Sequence, residues 1–225
     1  MSKLLTLCTG SSGNSYVLTD DDGNSLILDA GVKADVIKKA LKFDFSSVNG
    51  VLITHSHKDH SLSADILESY GLDVWHPYKI EGGRDKRIFG KWAVSSFDVP
   101  HGDCPCCGFY IRHIDGFKML YVTDLELCRY RFASQKVNFI LCECNWDKRY
   151  VIVDAENYRH KVLDHMSLDA CKGFLKANKT EGLKTVMICH QSNQTLDVVD
   201  AVEQIKRELG IDRVYAAIPG EEVEL

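Results

Sequence analysis

The sequence predicts a layered α/β domain, and three observations lead to this prediction. Short apolar or β-branched runs separated by turn residues fill the first part of the chain. Helical patterns then come between further strand-like runs. No Pro-, Gly- or Ser-rich linker, low-complexity tract or internal repeat interrupts this order. Strands mixed with helices throughout a chain are typical of α/β layers, so we expect one domain over residues 1–225.

The predicted strands begin as a meander and later alternate with helices. Apolar runs bounded by turn residues predict early strands at 4–7, 16–18, 26–28 and 51–54. Similar runs predict later strands at 118–122, 139–142, 185–189 and 213–217. Helical periodicity predicts helices at 34–42, 61–70, 168–177 and 198–209. Ser167 is placed to cap the third helix, and Gly210 ends the fourth.

The composition is that of an ordinary globular chain, with 225 residues of which 45% are hydrophobic and 26% charged. No run approaches the roughly 18 uninterrupted apolar residues of a bilayer-spanning helix, and the first residues lack the pattern of a secretion signal. Nine irregularly spaced cysteines favour reduced thiols. We therefore expect a cytoplasmic protein without a membrane partner. The formal charge of −5 provides no overall attraction to nucleic acid.

Four side chains of metal-binding type follow the strand predicted at 51–54. They are His55, His57, Asp59 and His60. Imidazole nitrogens and carboxylate oxygens suit zinc and related divalent ions, and a stretch leaving a strand can turn alternate side chains toward one point. The alternative is a solvated polar loop, but four ligand-type residues at this spacing favour a metal site.

The pattern His-x-His-x-Asp-His, directly after a hydrophobic strand that ends in threonine, resembles the signature of the metallo-β-lactamase fold superfamily. The remaining ligands of that family are a His, an Asp and a His, each after a later strand. His101, Asp124 and His190 match these three positions. Residues 26–31 and 213–225 also resemble segments of the family. The resemblance therefore covers nearly the whole chain and implies a four-layer αββα sandwich.

The same resemblance implies a metal-dependent hydrolase with two divalent metal ions, zinc or manganese, bridged by Asp124. The first ion would be held by His55, His57 and His101. The second would be held by Asp59, His60 and His190. Two ions about 3.5–4 Å apart can share a hydroxide and hold the attacking and leaving oxygens of a displacement, which is hydrolytic chemistry.

Two residues between Asp124 and His190 indicate the branch of the superfamily. Glu143 and His165 match positions where phosphodiesterase members carry an acidic residue and a His followed closely by Ser or Thr. Four segments resemble the YycJ/WalJ-type subfamily of DNA exonucleases, namely 10–15, 143–147, 165–167 and 190–193. This resemblance implies a nucleic-acid substrate, with DNA favoured over RNA. It also implies a catalytic set of Asp59, Glu143 and His165.

Two other functions are weighed against the nuclease. A small-molecule hydrolase of the same fold would act on a thioester or lactone, and Glu143 and His165 argue against it. A nucleic-acid-binding module with a decayed site is disfavoured by the complete ligand set. About 40 residues separate Asp124 from His165, too few for the large inserted domain of RNase J and related nucleases, so we expect no such domain.

Three further features each have two interpretations. Five cations either contact a phosphate backbone or lie on a solvated loop, namely Lys79, Arg84, Lys86, Arg87 and Lys91. Phe89 and Trp92 either stack on bases or belong to the core, and the core is favoured. Cys104, Cys106 and Cys107 either help to bind a third metal or are buried and loop thiols, and the second interpretation is favoured.

Overall fold

Two β-sheets form the centre of the fold in the computed structural model, which describes residues 2–151 and 163–225. In these ranges the strands are β1 Lys3–Cys8, β2 Ser15–Thr19, β3 Ser25–Leu28, β4 Val48–Leu52, β5 Val74–Trp75, β6 Lys86–Phe89, β7 Trp92–Val99, β8 Cys106–His113, β9 Lys118–Val122, β10 Phe139–Glu143, β11 Thr185–Cys189, β12 Val214–Ala216 and β13 Glu222–Glu224. The helices are α1 Ala34–Ala40, α2 Lys58–Ser61, α3 Ala64–Ser69, α4 Leu168–Asn178 and α5 Val198–Leu209.

The strand order brings the ends of several strands to one edge of the molecule. The first sheet has the order β13-β1-β2-β3-β4-β5, and the second has the order β12-β11-β10-β9-β8-β7-β6. Strands β3, β4 and β5 are parallel, as are β9, β10, β11 and β12. Because the carboxyl ends of parallel strands meet at the same edge of a sheet, the loops after these strands lie together.

Three hydrophobic cores separate the layers. One core lies between the two sheets, one lies between the first sheet and helices α1 and α3, and one lies between the second sheet and helices α4 and α5. Strand β9 contributes side chains to two of these cores. Met119 and Tyr121 lie in the core between the sheets, while Leu120 and Val122 lie in the core against helices α4 and α5. This alternation is the period of two that a strand buried on both faces requires. The four layers confirm the predicted αββα sandwich.

Most predicted elements are present with small shifts at their ends. Strands β9 and β11 and helix α5 have the predicted bounds. The hydroxyl of Ser167 accepts a hydrogen bond from the backbone N–H of Ala170 over 3.1 Å, which is the predicted cap of helix α4. The helix predicted at 61–70 begins later, as α3, and the separate short helix α2 precedes it.

The strands that the sequence did not predict are β5 to β8 in its middle part and β13 near its end. Strands β6, β7 and β8 form one side of the second sheet. Phe89 and Trp92 are buried in the core between the sheets, with 2% and 0% of their surface exposed. The core interpretation of these two aromatic residues is therefore confirmed. Within the described ranges, no helix has the length and apolarity needed to cross a membrane.

Candidate metal centre

All seven predicted metal ligands meet at the carboxyl ends of the strands. The ligands come from the segments after β4, β7, β9 and β11, with Asp59 and His60 in the short helix α2. The structure arranges them in two groups of four, within each of which one ligand atom per residue lies within 4.8 Å of the others. The first group is His55, His57, His101 and Asp124. The second group is Asp59, His60, Asp124 and His190, so that Asp124 belongs to both.

The first group has the spacing of ligands around one ion. His55 Nε2 lies 3.0 Å from His57 Nδ1, which lies 3.2 Å from His101 Nε2. Oδ2 of Asp124 is 3.8 Å from His55 Nε2 and 3.9 Å from His101 Nε2. Ligand atoms at bonding distance from a tetrahedral zinc ion are about 3.3 Å apart. Three imidazole nitrogens and a carboxylate oxygen that face one another at these distances fit a divalent metal ion.

The second group uses the other oxygen of Asp124. Oδ1 of Asp124 lies 3.3 Å from His60 Nε2. Oδ2 of Asp59 lies 3.6 Å from Nε2 of both His60 and His190. His190 Nε2 is buried and has no hydrogen-bond partner among the described residues. A buried polar atom without a partner is unfavourable, so this nitrogen also fits a site that an ion completes. Since its two oxygens face different groups, Asp124 is placed to bridge two ions.

Burial and neighbouring charges control the ionisation of these groups. Burial lowers the pKa of His55 well below its usual range, which keeps the imidazole neutral as metal binding requires. Burial alone would raise the pKa of Asp124, but His190 and His60 outweigh it and hold that pKa well below its usual range. Burial lowers the pKa of His190, but Asp124 and other carboxylates raise it to about 10. Metal binding at the second group is therefore accompanied by loss of protons.

A buried carboxylate outside the seven ligands orients His60. Asp29 Oδ2 accepts a hydrogen bond from His60 Nδ1 over 2.7 Å and one from the Tyr121 hydroxyl over 2.6 Å. Its Oδ1 accepts from the backbone N–H of Thr54 over 2.8 Å. Partners of this kind fix the ring of a metal-binding histidine and raise its basicity. Asp29 lies in the segment 26–31 that resembles the family, but no role was predicted for it. Its position directly after β3 was a usable signal, because β3 and β4 are parallel and their ends meet.

Gly31 allows the ligand loop to approach the end of β3. A Cβ atom on Gly31 would lie 1.7 Å from the carbonyl oxygen of Asp59, so any side chain would displace this loop. The same carbonyl accepts a hydrogen bond from the N–H of Asn14 over 2.6 Å. The Asn14 amide also lies 2.8 Å from His60 Nε2. The loops after β1 and β3 thus hold Asp59 and His60 in place.

Two ligands stand in an uncommon backbone conformation. Asp124 has a φ of 51° and His190 a φ of 50°, both in the left-handed region that residues with a Cβ rarely adopt. His190 directly follows β11, and Asp124 lies two residues after the end of β9. The chain must turn sharply at both places. The conformation is strained, and the surrounding structure maintains it.

Glu143 links His165 to the second group of ligands. Its Oε1 lies 2.8 Å from His165 Nδ1 and 3.0 Å from His190 Nδ1, and Oε2 accepts from the N–H of Leu125 over 3.0 Å. Glu143 is fully buried. Burial lowers the pKa of His165, but the carboxylate of Glu143 raises it, and the net effect is a raised pKa. The structure thus brings Glu143 and His165 together beside the ligands, and with Asp124 and His190 they form a third group of potential ligand atoms.

The cysteines near the site do not form a further metal site. Cys106 Sγ lies 3.8 Å from His55 Nδ1, Cys104 Sγ lies 3.8 Å from Ser56 Oγ, and Cys107 Sγ contacts the carbonyl of Gly83 at 3.4 Å. Over residues 2–151 and 163–225, no cysteine belongs to a group of three or more potential ligands. The interpretation as buried and loop thiols therefore holds for the described part of the chain.

Three of the five predicted phosphate-binding cations have acidic partners. Arg84 pairs with Asp98 at 3.0 Å and Arg87 pairs with Asp73 at 3.0 Å. Lys91 pairs with Asp22. These pairs are largely exposed, and such pairs add little stability, but they neutralise much of the positive charge of this stretch. The stretch between the first two ligand motifs is therefore a weaker candidate for phosphate contact than the sequence indicated.

Comparison with known proteins agrees with this geometry. Residues 8–124 match the family model described as the metallo-beta-lactamase superfamily. The chain is 30% identical over 166 residues to exodeoxyribonuclease YycJ of Bacillus anthracis, in a match that covers 63% of this chain and 62% of that protein. It is 25% identical over 260 residues to exodeoxyribonuclease WalJ of Streptococcus pneumoniae serotype 2, covering 96% of this chain and 94% of that protein.

Among solved structures, the fold is similar to that of the metallo-beta-lactamase fold protein YhfI from Bacillus subtilis. The TM-score is 0.70 at 17% identity, and the match covers 100% of this chain and 99% of the other. The family model covers more than half of this sequence. The chain therefore belongs to the metallo-beta-lactamase superfamily and has its metal-dependent hydrolase fold.

Proposed function

We propose that this protein is a metal-dependent phosphodiesterase that degrades nucleic acid, with DNA as substrate and attack from a strand end. The observation that carries the proposal is the Glu143–His165 pair, joined at 2.8 Å beside the two groups of potential ligands. Hydrolysis of a phosphodiester leaves an alkoxide that needs a proton, and a positioned imidazolium can supply it. The similarity to two proteins named exodeoxyribonucleases supports the choice of DNA and of exonucleolytic attack.

Two divalent ions, zinc or manganese, fit the donor atoms. One would be held by His55, His57, His101 and Asp124, and the other by Asp59, His60, Asp124 and His190. When bound in such sites, divalent ions act as Lewis acids and lower the pKa of water to about 7. The charge of both ions also offsets the repulsion between the acidic protein and a phosphate backbone.

His165 and Glu143 have different roles in proton transfer. The Glu143 carboxylate holds the hydrogen on Nδ1 of His165, so the proton delivered to the leaving oxygen is the one on Nε2. Since Glu143 raises the pKa of His165 despite burial, a larger fraction of the imidazole is protonated near neutral pH. Glu143 is therefore a positioning residue, and His165 is the general acid.

Asp59 has two proposed roles. Its side chain is 24% exposed, more than those of His60 and His190 beside it. Burial alone would raise the pKa of Asp59, but His190 and His60 have the larger effect and lower it below its usual value. The carboxylate is therefore ionised. An ionised carboxylate at the accessible side of the second group can bind metal and accept a hydrogen bond from the attacking water.

The direct test is cleavage of end-labelled single-stranded and double-stranded DNA and RNA with Mn²⁺, Mg²⁺ or Zn²⁺. We expect metal-dependent release of short products from the end of a DNA strand, abolished by a chelator and restored by the metal. A thioester and a lactone serve as competing substrates. Hydrolysis of either one without cleavage of any nucleic acid would contradict the proposal.

A location in the cytoplasm is also proposed. All nine cysteines are free thiols, and six of them are buried in or against the second sheet, namely Cys106, Cys107, Cys142, Cys144, Cys171 and Cys189. A chain with this many thiols and no disulfide suits a reducing compartment. Determination of the thiol content after extraction under native conditions tests this proposal.

A further inference from the structure

The chain that leaves Asp124 crosses the end of strand β7 and carries alternating aromatic and arginine side chains. We call residues 125–132 the exit segment. The backbone N–H of Glu126 donates to the carbonyl of Pro100 over 3.2 Å. Farther along, the Tyr130 hydroxyl donates to Asp98. The exit segment therefore runs from the metal centre alongside the residues that precede His101.

Aromatic contacts fix which side of the exit segment faces the protein. The ring centroids of Tyr130 and Phe132 lie 5.3 Å and 4.9 Å from that of Phe97, which belongs to strand β7. Both aromatic residues are half-buried, whereas Arg129 and Arg131 are exposed. The aromatic side chains thus contact the core, while both arginines lie in solvent.

The two arginines differ from the cations discussed above. Among the residues that the structure describes, Arg129 and Arg131 have no hydrogen bond, ion pair or aromatic partner, whereas Arg84, Arg87 and Lys91 pair with carboxylates. Glu126 is the one carboxylate in the exit segment. In a protein of formal charge −5, two exposed guanidinium groups that pair with no carboxylate of the described residues are available to bind an anion.

Their distance from the metal centre suits contacts along one nucleic-acid strand. Arg129 and Arg131 follow Asp124 by five and seven residues. An extended chain spans at most about 3.6 Å per residue, so their Cα atoms lie within about 18 Å and 25 Å of that of Asp124. Each strand of a DNA duplex carries a phosphate every 3.4 Å or so, and therefore several phosphates fall in this interval.

From this geometry we infer that Arg129 and Arg131 bind backbone phosphates of the nucleic-acid strand whose scissile phosphate lies at the metal centre. The inference rests on the proposed function and deepens it. A guanidinium can hold a phosphate through two parallel hydrogen bonds, and contacts of this kind carry no base preference. The exit segment thus replaces the stretch from Lys79 to Lys91 as the main protein surface for the substrate backbone.

The test compares two double variants that remove the same charge. In the first, Arg129→Gln is combined with Arg131→Gln; in the control, Arg87→Gln is combined with Lys91→Gln. Binding of a cleavage-resistant phosphorothioate single strand is measured by fluorescence anisotropy over a range of KCl concentrations. Each lost phosphate contact on a single strand should reduce the slope of log K against log salt by about 0.7, so the first variant should lose about 1.4 and the control nearly nothing.

Two further measurements separate the inference from the proposed function. Both double variants should hydrolyse bis(p-nitrophenyl) phosphate at the wild-type rate, since this small diester has none of the neighbouring backbone phosphates that Arg129 and Arg131 would bind. Arg129→Lys with Arg131→Lys should restore the salt slope because the charge returns.

An unchanged slope in the glutamine variant of Arg129 and Arg131, or an equal loss in the control, would overturn the inference alone. If the wild-type protein cleaves neither nucleic acid nor the small diester, the proposed function fails and the inference fails with it.

Discussion

Glu143 accepts a hydrogen bond from Nδ1 of His165 over 2.8 Å while it lies wholly buried at the end of strand β10. The same oxygen is 3.0 Å from Nδ1 of His190, which belongs to the second group of potential ligands. One carboxylate therefore fixes the proposed acid and a proposed ligand relative to each other. The rings of His165 and His190 are stacked with centroids 5.0 Å apart.

Replacement of His165 should remove catalysis and leave the metals. Loss of a positioned general acid lowers rates by about 10²–10⁴-fold, so we expect kcat of His165→Ala to fall on this scale. Metal content is measured by mass spectrometry of the purified protein. His76→Ala is the control, because His76 also pairs with a glutamate, Glu68 at 3.0 Å, but away from the site. A rate within threefold of wild type would rule out the acid role, and loss of a metal would make His165 a ligand.

Removal of the Glu143 charge should shift the pH dependence of kcat. The folded protein raises the pKa of His165 through this carboxylate, so the protonated acid persists to higher pH and activity declines as pH rises through that pKa. Glu143→Gln keeps an acceptor for Nδ1 without the charge. The decline of kcat at alkaline pH should therefore begin at a lower pH in this variant than in the wild type. A decline at the same pH in both proteins would show that the carboxylate does not set the ionisation of the catalytic group.

The two groups of ligands predict two metal ions of separable affinity. Combined Asp59→Ala and His60→Ala substitutions remove ligands of the second group alone. We expect the double variant to retain one ion per chain where the wild type binds two, as measured by titration with Zn²⁺ or Mn²⁺ after treatment with a chelator. Two fully occupied sites in the double variant would contradict the ligand assignment.

Asp29 should tune metal affinity although it touches no ion in the proposed arrangement. Asp29→Asn keeps the shape of the side chain but weakens its hydrogen bond to His60 Nδ1, now 2.7 Å. Loss of such a partner typically weakens metal binding by about 10–100-fold. Competition with a chromogenic chelator measures the change, with the exposed Asp73→Asn as control. Equal affinities of the two variants would exclude this role for Asp29.

Substitution of two glycines by alanine should change stability in opposite directions. At Gly31 the new Cβ would lie 1.7 Å from the carbonyl oxygen of Asp59, so Gly31→Ala should lower the melting temperature and the occupancy of the second metal group. Gly173 lies in helix α4 with open space around it, and Gly173→Ala should stabilise by up to about 1 kcal/mol. Thermal unfolding checks both. A neutral Gly31→Ala would mean that the ligand loop moves without penalty.

The sequence predicted what a contiguous pattern encodes. His55, His57, Asp59 and His60 are close in the chain, Asp124 and His190 each follow a predicted apolar strand, and His101 was assigned from the resemblance to the family. The structure brings all seven together. Strands β6 to β8 were missed because charged and cysteine-rich stretches conceal their alternation. The role of Asp29 depends on a contact with His60, 31 positions away, so its place after β3 indicated its location but not its partner. The absence of an inserted nuclease domain stays a prediction.

Asp124 and His190 occupy left-handed backbone positions that glycine would adopt with less strain. Such a conformation costs of order 1 kcal/mol for a residue with a Cβ, so selection for stability alone favours glycine or asparagine at both positions. Selection for function is what opposes the replacement of Asp124 and His190 by these residues. In descendants of this chain, glycine at either position would be an early sign that a lineage has abandoned catalysis, and retention of both residues would identify lineages that still depend on it.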